Sequence, residues 1–222
     1  MLLAIDTSTQ WMGLALYTGE EIVGELAWKT KNHHTVELAP SVASMMDRCG
    51  VTPKDLTCLA VATGPGSFTS LRIGMAYVKG LALALHLPVV GIPTLEISAR
   101  AQTSDDRPLM VCLQAGRERI AYQTFVWQKK KWVAEGEPLL GYASDIVHQI
   151  TEPIIVCGEL TNANRTVLKE KSSIIEVRSP SASLRRPAYL AEIAWKRFLA
   201  DDVDDAATIA PIYLHVGASI PD

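Results

Sequence analysis

The sequence predicts an α/β protein of two lobes, because one order of elements occurs twice along its 222 residues. That order is three strands, a helix, a strand and a helix. A hydrophobic fraction of 48% supplies side chains for two cores and excludes a disordered chain. The polar stretch Asp105–Pro108 is the best linker candidate, so we expect an N-terminal α/β lobe over residues 1–104 and a smaller C-terminal α/β lobe over residues 105–205. Residues 206–222 are expected to pack back on the first lobe.

The first lobe begins with a short apolar strand and two strands that resemble an antiparallel meander. Gly50 ends the first helix, and Pro40 inside that helix predicts a kink or a later start. The next strand opens into the loop Thr63–Ser67, after which a long helix begins. The predicted bounds are Leu2–Ile5, Met12–Tyr17 and Ile22–Trp28 (strands), 35–48 (helix), Leu56–Ala62 (strand), 68–87 (helix), Val89–Gly91 (strand) and 93–101 (helix).

The second lobe repeats this plan in a shorter and less regular form. Lys129–Lys131 lies between two of its strands and is expected to be a solvated hairpin turn. The predicted bounds are Leu109–Leu113, Ile120–Val126 and Lys131–Glu135 (strands), 145–150 (helix), Ile154–Val156 (strand), 162–169 (helix), Ile174–Val177 (strand) and 187–199 (helix).

Charge and composition exclude several classes of protein. The formal net charge of −3 disfavours a clamp that neutralises phosphates, so we expect contact with RNA to be indirect. Without a run of about 18 uncharged apolar residues, no membrane span is expected, and Asp6 interrupts the first apolar run too early for a signal peptide. The cysteines are far apart, which predicts buried thiols in the cytoplasm and no zinc site: Cys49, Cys58, Cys112 and Cys157.

Two turns carry residues that could contact a nucleotide. After the first strand, Asp6, Thr7 and Ser8 offer a carboxylate and hydroxyls that could hold hydrated Mg²⁺ and phosphate, or could simply close a hairpin by internal hydrogen bonds. Gly64, Gly66 and Ser67 precede a helix, where glycines allow close approach and an N-cap presents free N–H groups. A tight strand-to-helix connection packed against a neighbouring lobe explains the second turn equally well.

Three segments give the chain a family resemblance. The opening LLAIDTST, the stretch HHTVELAP (His33–Pro40) and GPGSFTSLRIG (Gly64–Gly74) resemble the bacterial TsaB family, the partner subunits of the enzyme that makes threonylcarbamoyladenosine in tRNA. Ser70 replaces a glycine of the family pattern. Weaker matches follow the linker at Ala115–Arg117 and Ala210–Leu214, where Gln114 and His215 stand in place of the Asp and Arg of many relatives.

The resemblance implies a two-lobed acetate/sugar-kinase/actin-like (ribonuclease H-like) fold with a reduced second lobe. It also implies a subunit without catalysis of its own. Its partners would be a catalytic TsaD-like subunit of the same fold, a TsaE-like ATPase, and a second copy of itself in a homodimer. It would hold no cofactor alone, with ATP or ADP and Mg²⁺ at most at a shared subunit interface. The roles of Arg117 and His215 stay open.

The residues themselves also argue against an active site. None of the five histidines pairs with another at i,i+4, and the set His33, His34 and Glu37 is too divergent for an open metal site. Ser67 has no histidine nearby in sequence and no nucleophile elbow. The alternative function is a small-molecule kinase or ATPase that uses Asp6 and the loop Gly64–Ser67, although the first turn lacks the glycine of D-x-G-[ST]. A metallopeptidase is a third alternative.

Two helices of the first lobe are apolar over more of their circumference than one buried face requires. Covering such a surface with a second chain would yield a stable interface. The alternative is that both helices pack on each other and on the lobes. The predicted partner interface comprises Leu38, Val42, Met45, Cys49, Leu71, Met75, Val78 and Leu81.

Overall fold

The computed structural model describes residues 1–116, 118–171 and 173–214. These residues form two compact units. The first contains Met1–Gln102 and Leu184–Ile212, and the second contains Thr103–Ser183 followed by the described residues after Ile212. Residues 184–205 therefore belong to the first unit, so their assignment to the second lobe from the sequence was wrong.

The described residues form ten strands and six α-helices, each at a position that the sequence predicts, and a 3-10 helix at Pro53–Asp55 that it does not. In chain order the elements are β1 (Leu2–Asp6), β2 (Trp11–Tyr17), β3 (Ile22–Lys29), α1 (His34–Arg48), β4 (Cys58–Gly64), α2 (Phe68–Leu85), β5 (Val89–Pro93), α3 (Thr94–Arg100), β6 (Leu109–Gln114), β7 (Ile120–Gln128), β8 (Lys131–Gly141), α4 (Ala143–Gln149), β9 (Ile154–Gly158), α5 (Asn162–Lys169), β10 (Ile175–Val177) and α6 (Pro187–Leu199).

The sheet of the first unit has the strand order β3-β2-β1-β4-β5. β1 pairs antiparallel with β2 and parallel with β4. Both faces of this sheet are covered by helices, which is why β1 and β4 read as continuous apolar runs instead of alternating patterns. The carboxyl ends of the parallel strands carry the two turns that the sequence singles out.

Helix α6 explains why the first unit also contains Leu184–Ile212. Its residues Leu190, Ala191 and Ala194 are fully buried against Ala4 and Ala15 of the central strands. Small side chains on both surfaces let the helix lie close to the sheet. Residues 201–212 then return along β5, where the Asp204 N–H donates to the Val89 carbonyl at 2.8 Å. No pattern within 187–199 specifies which sheet the helix covers.

The second unit repeats the strand order of the first, as β8-β7-β6-β9-β10. β6 pairs antiparallel with β7 and parallel with β9. α4 and α5 cover one face of this sheet through residues such as Ile146 and Leu168. The described part of this unit has two helices where the first has four, which fits the expectation of a reduced second lobe.

The predicted partner interface is largely the core of the first unit. Cys49 and Leu81 are half-buried and pack against that core. Burial in the unit's own core excludes the other residues from an interface, and their prediction was wrong: Leu38, Val42, Met45, Leu71, Met75 and Val78 are at most 4% exposed. The bulkiest stripe of an amphipathic helix packs on its own sheet, because that contact removes the most apolar area from water.

Helix α2 also has the length and the composition of a membrane span, with a mean hydropathy of 1.2 over 18 residues. It is the one such helix in the part of the chain that the structure describes. One face of α2 packs in the core through Leu71 and Val78, and core helices commonly meet the same criteria. The length and composition of α2 are therefore weak evidence that it spans a membrane.

Candidate functional site

The β1–β2 turn directs its carboxylate inward. Asp6 is 3% exposed, and its Oδ1 accepts hydrogen bonds from the Ser8 N–H at 2.9 Å and the Ser8 hydroxyl at 2.6 Å. Its Oδ2 accepts from Nε of Arg185, at the start of the segment that leads into α6. Both carboxylate oxygens are thus engaged by donors of the same unit.

Arg185 supplies the positive charge that a cation would otherwise bring to Asp6. Its side chain is 1% exposed and that of Asp6 is 4% exposed, so the ion pair is withdrawn from water. A terminal nitrogen of Arg185 also donates to Thr9 Oγ1 at 3.2 Å. Magnesium needs free carboxylate oxygens and room for its waters. The expectation that Asp6 faces a nucleotide is therefore contradicted, and the alternative of internal hydrogen bonds is the one observed.

Thr7 and Ser8 of the first turn also form hydrogen bonds within the unit. The Thr7 hydroxyl donates to the Ser70 carbonyl at 2.7 Å, and the Ser8 carbonyl accepts from the Ser67 N–H at 2.7 Å. Thr7 and Ser8 are both buried, at 1% and 0% exposure. Neither residue presents a group to a nucleotide, so that expectation is wrong for both.

Glycines allow these two turns to touch. A Cβ on Gly66 would overlap the Ser8 carbonyl oxygen, and a Cβ on Gly74 would overlap Thr7 Oγ1. Gly64 is buried, has φ +113°, and donates from its N–H to Thr94 Oγ1 at 3.1 Å. The glycines thus let the chain approach Ser8 and Thr7 of the first turn, and these close contacts are within the unit. Gly64 is therefore also excluded as a nucleotide contact, whereas Gly66 and Ser67 are exposed.

A buried histidine joins α1 to the same turns; the sequence analysis considered this residue only in a metal set and did not predict these contacts. His34 is 1% exposed, and its Nε2 lies 2.8 Å from the Thr9 carbonyl, which only accepts, so Nε2 carries the proton. Its Nδ1 lies 3.5 Å from the Ser70 hydroxyl, which is 3.0 Å from Ser67 Oγ at the N-cap of α2. The replacement of the family glycine by Ser70 was the available signal for this contact.

The candidate metal set does not converge. His33 points outward with a side chain 62% exposed and lies 3.8 Å from Glu37, while His34 is directed into the core. Glu37 accepts from Trp28 Nε1 at 2.8 Å, and this hydrogen bond lowers the pKa of the carboxyl. Within the described residues no group of three histidines, cysteines or carboxylates is placed to hold a metal ion.

The cysteines are free, and most of them are buried. Burial raises the pKa of Cys58 and of Cys157 to about 12, and it also raises the pKa of Cys112. Cys49 is half-buried, with its Sγ 3.6 Å from the Val23 carbonyl. The three buried thiols are therefore protonated and unreactive at neutral pH.

Two residues from the weaker family matches, Arg117 and His215, lie outside the described residues. Gln114, at the end of β6, is described. Its Oε1 accepts from Asn164 Nδ2 at 3.3 Å, and its Nε2 donates to the Ala115 carbonyl at 3.3 Å. The amide thus joins β6 to the start of α5 in the second unit.

The outward sides of α1 and α2 carry exposed, mostly small apolar residues together with polar ones, among them Asp47, Thr69 and Arg72. On each helix the exposed residues recur at helical spacing, opposite the stripe that enters the core. The two helices pack against each other, so their outward stripes lie side by side. We call this surface the α1–α2 face; its largest side chains, Val36 and Leu83, are 68% and 78% exposed. It comprises Val36, Ala39, Pro40, Ala43, Ala76, Gly80, Leu83 and Ala84.

Comparison with solved structures confirms the predicted fold. YeaZ from Pseudomonas aeruginosa superposes with a TM-score of 0.75 at 22% identity, covering 95% of this chain and 99% of that one. Component A of the (R)-2-hydroxyglutaryl-CoA dehydratase of Acidaminococcus fermentans follows at a TM-score of 0.51 and 10% identity, covering 88% and 98%. With the repeated strand order of the two sheets, these likenesses establish the two-lobed actin-like fold.

Sequence comparison gives the family. The TsaB protein of Haemophilus influenzae is 28% identical over 223 residues, covering 96% of this chain and 92% of the relative. The TsaB protein of Bacillus subtilis is 27% identical over 172 residues, covering 76% and 75%. Both are named tRNA threonylcarbamoyladenosine biosynthesis protein, and a family model described as TsaD, tRNA N6-adenosine threonylcarbamoyltransferase, matches residues 22–207. The chain therefore belongs to this family, and within it to the TsaB proteins.

Proposed function

We propose that this chain is a non-catalytic partner subunit in the biosynthesis of threonylcarbamoyladenosine in tRNA. In this role it binds a TsaD-like catalytic subunit and supports its activity. The pathway is supported by the names of the relatives, which are TsaB biosynthesis proteins. The single observation that supports a non-catalytic role is the buried ion pair of Asp6 and Arg185, because it uses the carboxylate that a nucleotide-bound cation would need.

The kinase or ATPase alternative is disfavoured on energetic grounds. Binding Mg²⁺ at Asp6 would require breaking a buried ion pair, and separating such partners costs about 3–5 kcal/mol. Each 1.4 kcal/mol is about tenfold in affinity, so the loss would exceed a hundredfold. Gly66 and Ser67 are the candidates that stay accessible. ATP or ADP with Mg²⁺ could reach this chain there, at an interface completed by another subunit.

The α1–α2 face is the proposed docking surface for the TsaD-like subunit. Its small residues, such as Ala43 and Gly80, let a second pair of helices approach closely, while Leu83 provides a large apolar contact. Exposed apolar stripes on neighbouring helices are typical of protein interfaces. In the absence of the catalytic subunit the same face would pair with a second copy, giving a homodimer. A TsaE-like ATPase would join the assembled pair.

Substitutions on the two sides of α1 and α2 test the docking surface. Leu83→Glu should abolish binding to the TsaD-like subunit in calorimetry while the thermal unfolding midpoint stays unchanged, because Leu83 is exposed. Val42→Glu should unfold the first unit, since Val42 is 2% exposed in its core. Leu199→Glu is the matched control, at 69% exposure on α6. Unchanged affinity of the Leu83 variant would exclude this face.

Incubation with Mg-ATP separates the partner subunit from the enzyme. The pure chain should neither hydrolyse ATP nor transfer its phosphoryl group. Turnover that is lost in the double variant D6N/R185M, which leaves no unpaired buried charge, would instead assign the kinase or ATPase alternative. Turnover that survives in D6N/R185M would point to a contaminating enzyme, which a second purification would remove.

A further inference from the structure

The hairpin of β7 and β8 carries three consecutive lysines at its tip. Gln128 pairs with Lys131 at the end of the ladder, so Lys129 and Lys130 form a two-residue turn. Both have positive φ, +49° and +62°. Positive φ at both central residues is the requirement of a type I′ turn.

Lysine is an unfavourable choice for both positions of this turn. Asn-Gly is the preferred pair, because glycine and asparagine enter the left-handed region at little cost. A lysine there is strained by its Cβ, and two successive lysines add repulsion between their charges. The sequence thus departs twice from the residues that would stabilise the turn most.

The strands below the tip hold the turn in place. Trp127 and Trp132 face each other across the ladder, with ring centroids 5.5 Å apart and an interplanar angle of 70°. Such edge-to-face pairs stabilise hairpins beyond the area that they bury. The hairpin can therefore keep a strained turn that carries positive charge.

The three ammonium groups are free of partners within the described residues. Lys129, Lys130 and Lys131 are all exposed, and their side chains take part in no ion pair or hydrogen bond there. The chain as a whole has a net charge of −3, so the tip is a local positive centre on an acidic protein. The repulsion between the three charges is therefore not offset by a counter-charge in the described part of the unit.

We propose that Lys129, Lys130 and Lys131 contact the phosphodiester backbone of the RNA on which the complex acts. This inference rests on the proposed function and adds a direct RNA contact, where the sequence predicts only an indirect one. Ammonium groups on flexible stems act on phosphates as point charges. Contacts to phosphates position an RNA without reading its sequence.

The double variant K129N/K130G tests the proposal because it moves two quantities in opposite directions. It creates the preferred turn and removes two charges, so the unfolding midpoint should rise while affinity for RNA falls. Affinity is measured with labelled tRNA and the assembled complex with the TsaD-like subunit, over a series of salt concentrations. At physiological salt we expect a loss of roughly tenfold, and a slope of log K against log salt that is shallower by about two.

Two further variants make the result specific. Lys131→Gln leaves the turn unchanged and should reduce the salt slope by about one. The control K29N/K31N removes two exposed lysines of the first unit and should bind tRNA as the unaltered chain does.

Unchanged affinity and slope in K129N/K130G would overturn the inference, as would an equal loss in the control. A loss of binding to the TsaD-like subunit with unchanged RNA affinity would also overturn it, since the tip would then contact an acidic protein surface. Formation of the complex is measured separately by calorimetry. Its absence in the unaltered chain would refute the proposed function, not the RNA contact alone.

Discussion

The substitution Arg185→Ala tests whether Arg185 neutralises the buried carboxylate of Asp6 in the β1–β2 turn. It removes the guanidinium that donates to Asp6 and Thr9 and leaves a buried carboxylate, 3% exposed, with the donors of Ser8. Loss of one partner of a buried ion pair costs about 3–5 kcal/mol. For a domain of this size about 1 kcal/mol shifts the unfolding midpoint by roughly 2–4 °C. We therefore expect the midpoint to fall by about 6–20 °C.

Differential scanning calorimetry of the variant gives this shift directly. The matched control is the double variant D6N/R185M, which removes both charges and keeps similar volumes. Because no unpaired charge remains buried, it should recover most of the lost stability. A loss below about 1 kcal/mol in Arg185→Ala would show that the pair is accessible to water, and the turn could then exchange it for a hydrated cation.

Three further predictions concern other parts of the chain. Gly66→Ala should destabilise the first unit by about 1–3 kcal/mol in urea unfolding, since the new methyl overlaps a carbonyl oxygen, whereas Gly80→Ala, with open space around it, should stabilise α2 by about 0.5–1 kcal/mol. Equal effects would contradict this geometry. Because burial raises the pKa of Cys58 to about 12, a disulfide reagent at pH 8 should modify Cys49 first and Cys58 only after unfolding, as peptide mass spectrometry would show. The hydrogen bond from a neighbouring guanidinium lowers the pKa of Asp105 below its unfolded value, so its contribution to stability is present at neutral pH and is lost as the pH falls below about 4. Asp105→Asn should flatten this acid limb of the stability curve.

The elements of the fold could be predicted from the sequence, but the placement of α6 could not. Strands and helices follow from local periodicity, and the turn residues mark where they end. Which sheet a helix covers depends on a surface far away in sequence. The small residues Ala191 and Ala194 match Ala4 and Ala15, more than 170 residues apart along the chain. A pattern within one helix does not contain that pairing.

The contacts of the candidate site also depend on residues that lie far apart in the sequence. The sequence indicates that Asp6 has a special environment, but the partner that decides its role is Arg185, 179 positions away. Both α1 and α2 are apolar over more of their circumference than one buried stripe needs, and each helix has a buried apolar stripe and further apolar residues that are exposed. The bulkier side was assigned to a partner chain, although burying Val42 and Leu71 in the core of the unit removes more apolar area from water. The smaller residues stay exposed, and we propose them as the docking surface.

Reconstituted modification of tRNA tests the central claim most directly. The assay measures threonylcarbamoyladenosine formed by the TsaD-like subunit with its ATPase and its activated substrate, in the presence and absence of this chain. We predict no product from this chain without the TsaD-like subunit, a large increase when both are present, and loss of that increase with Leu83→Glu. Product formed in the absence of the TsaD-like subunit, or a yield that does not depend on this chain, would contradict its role as a partner subunit.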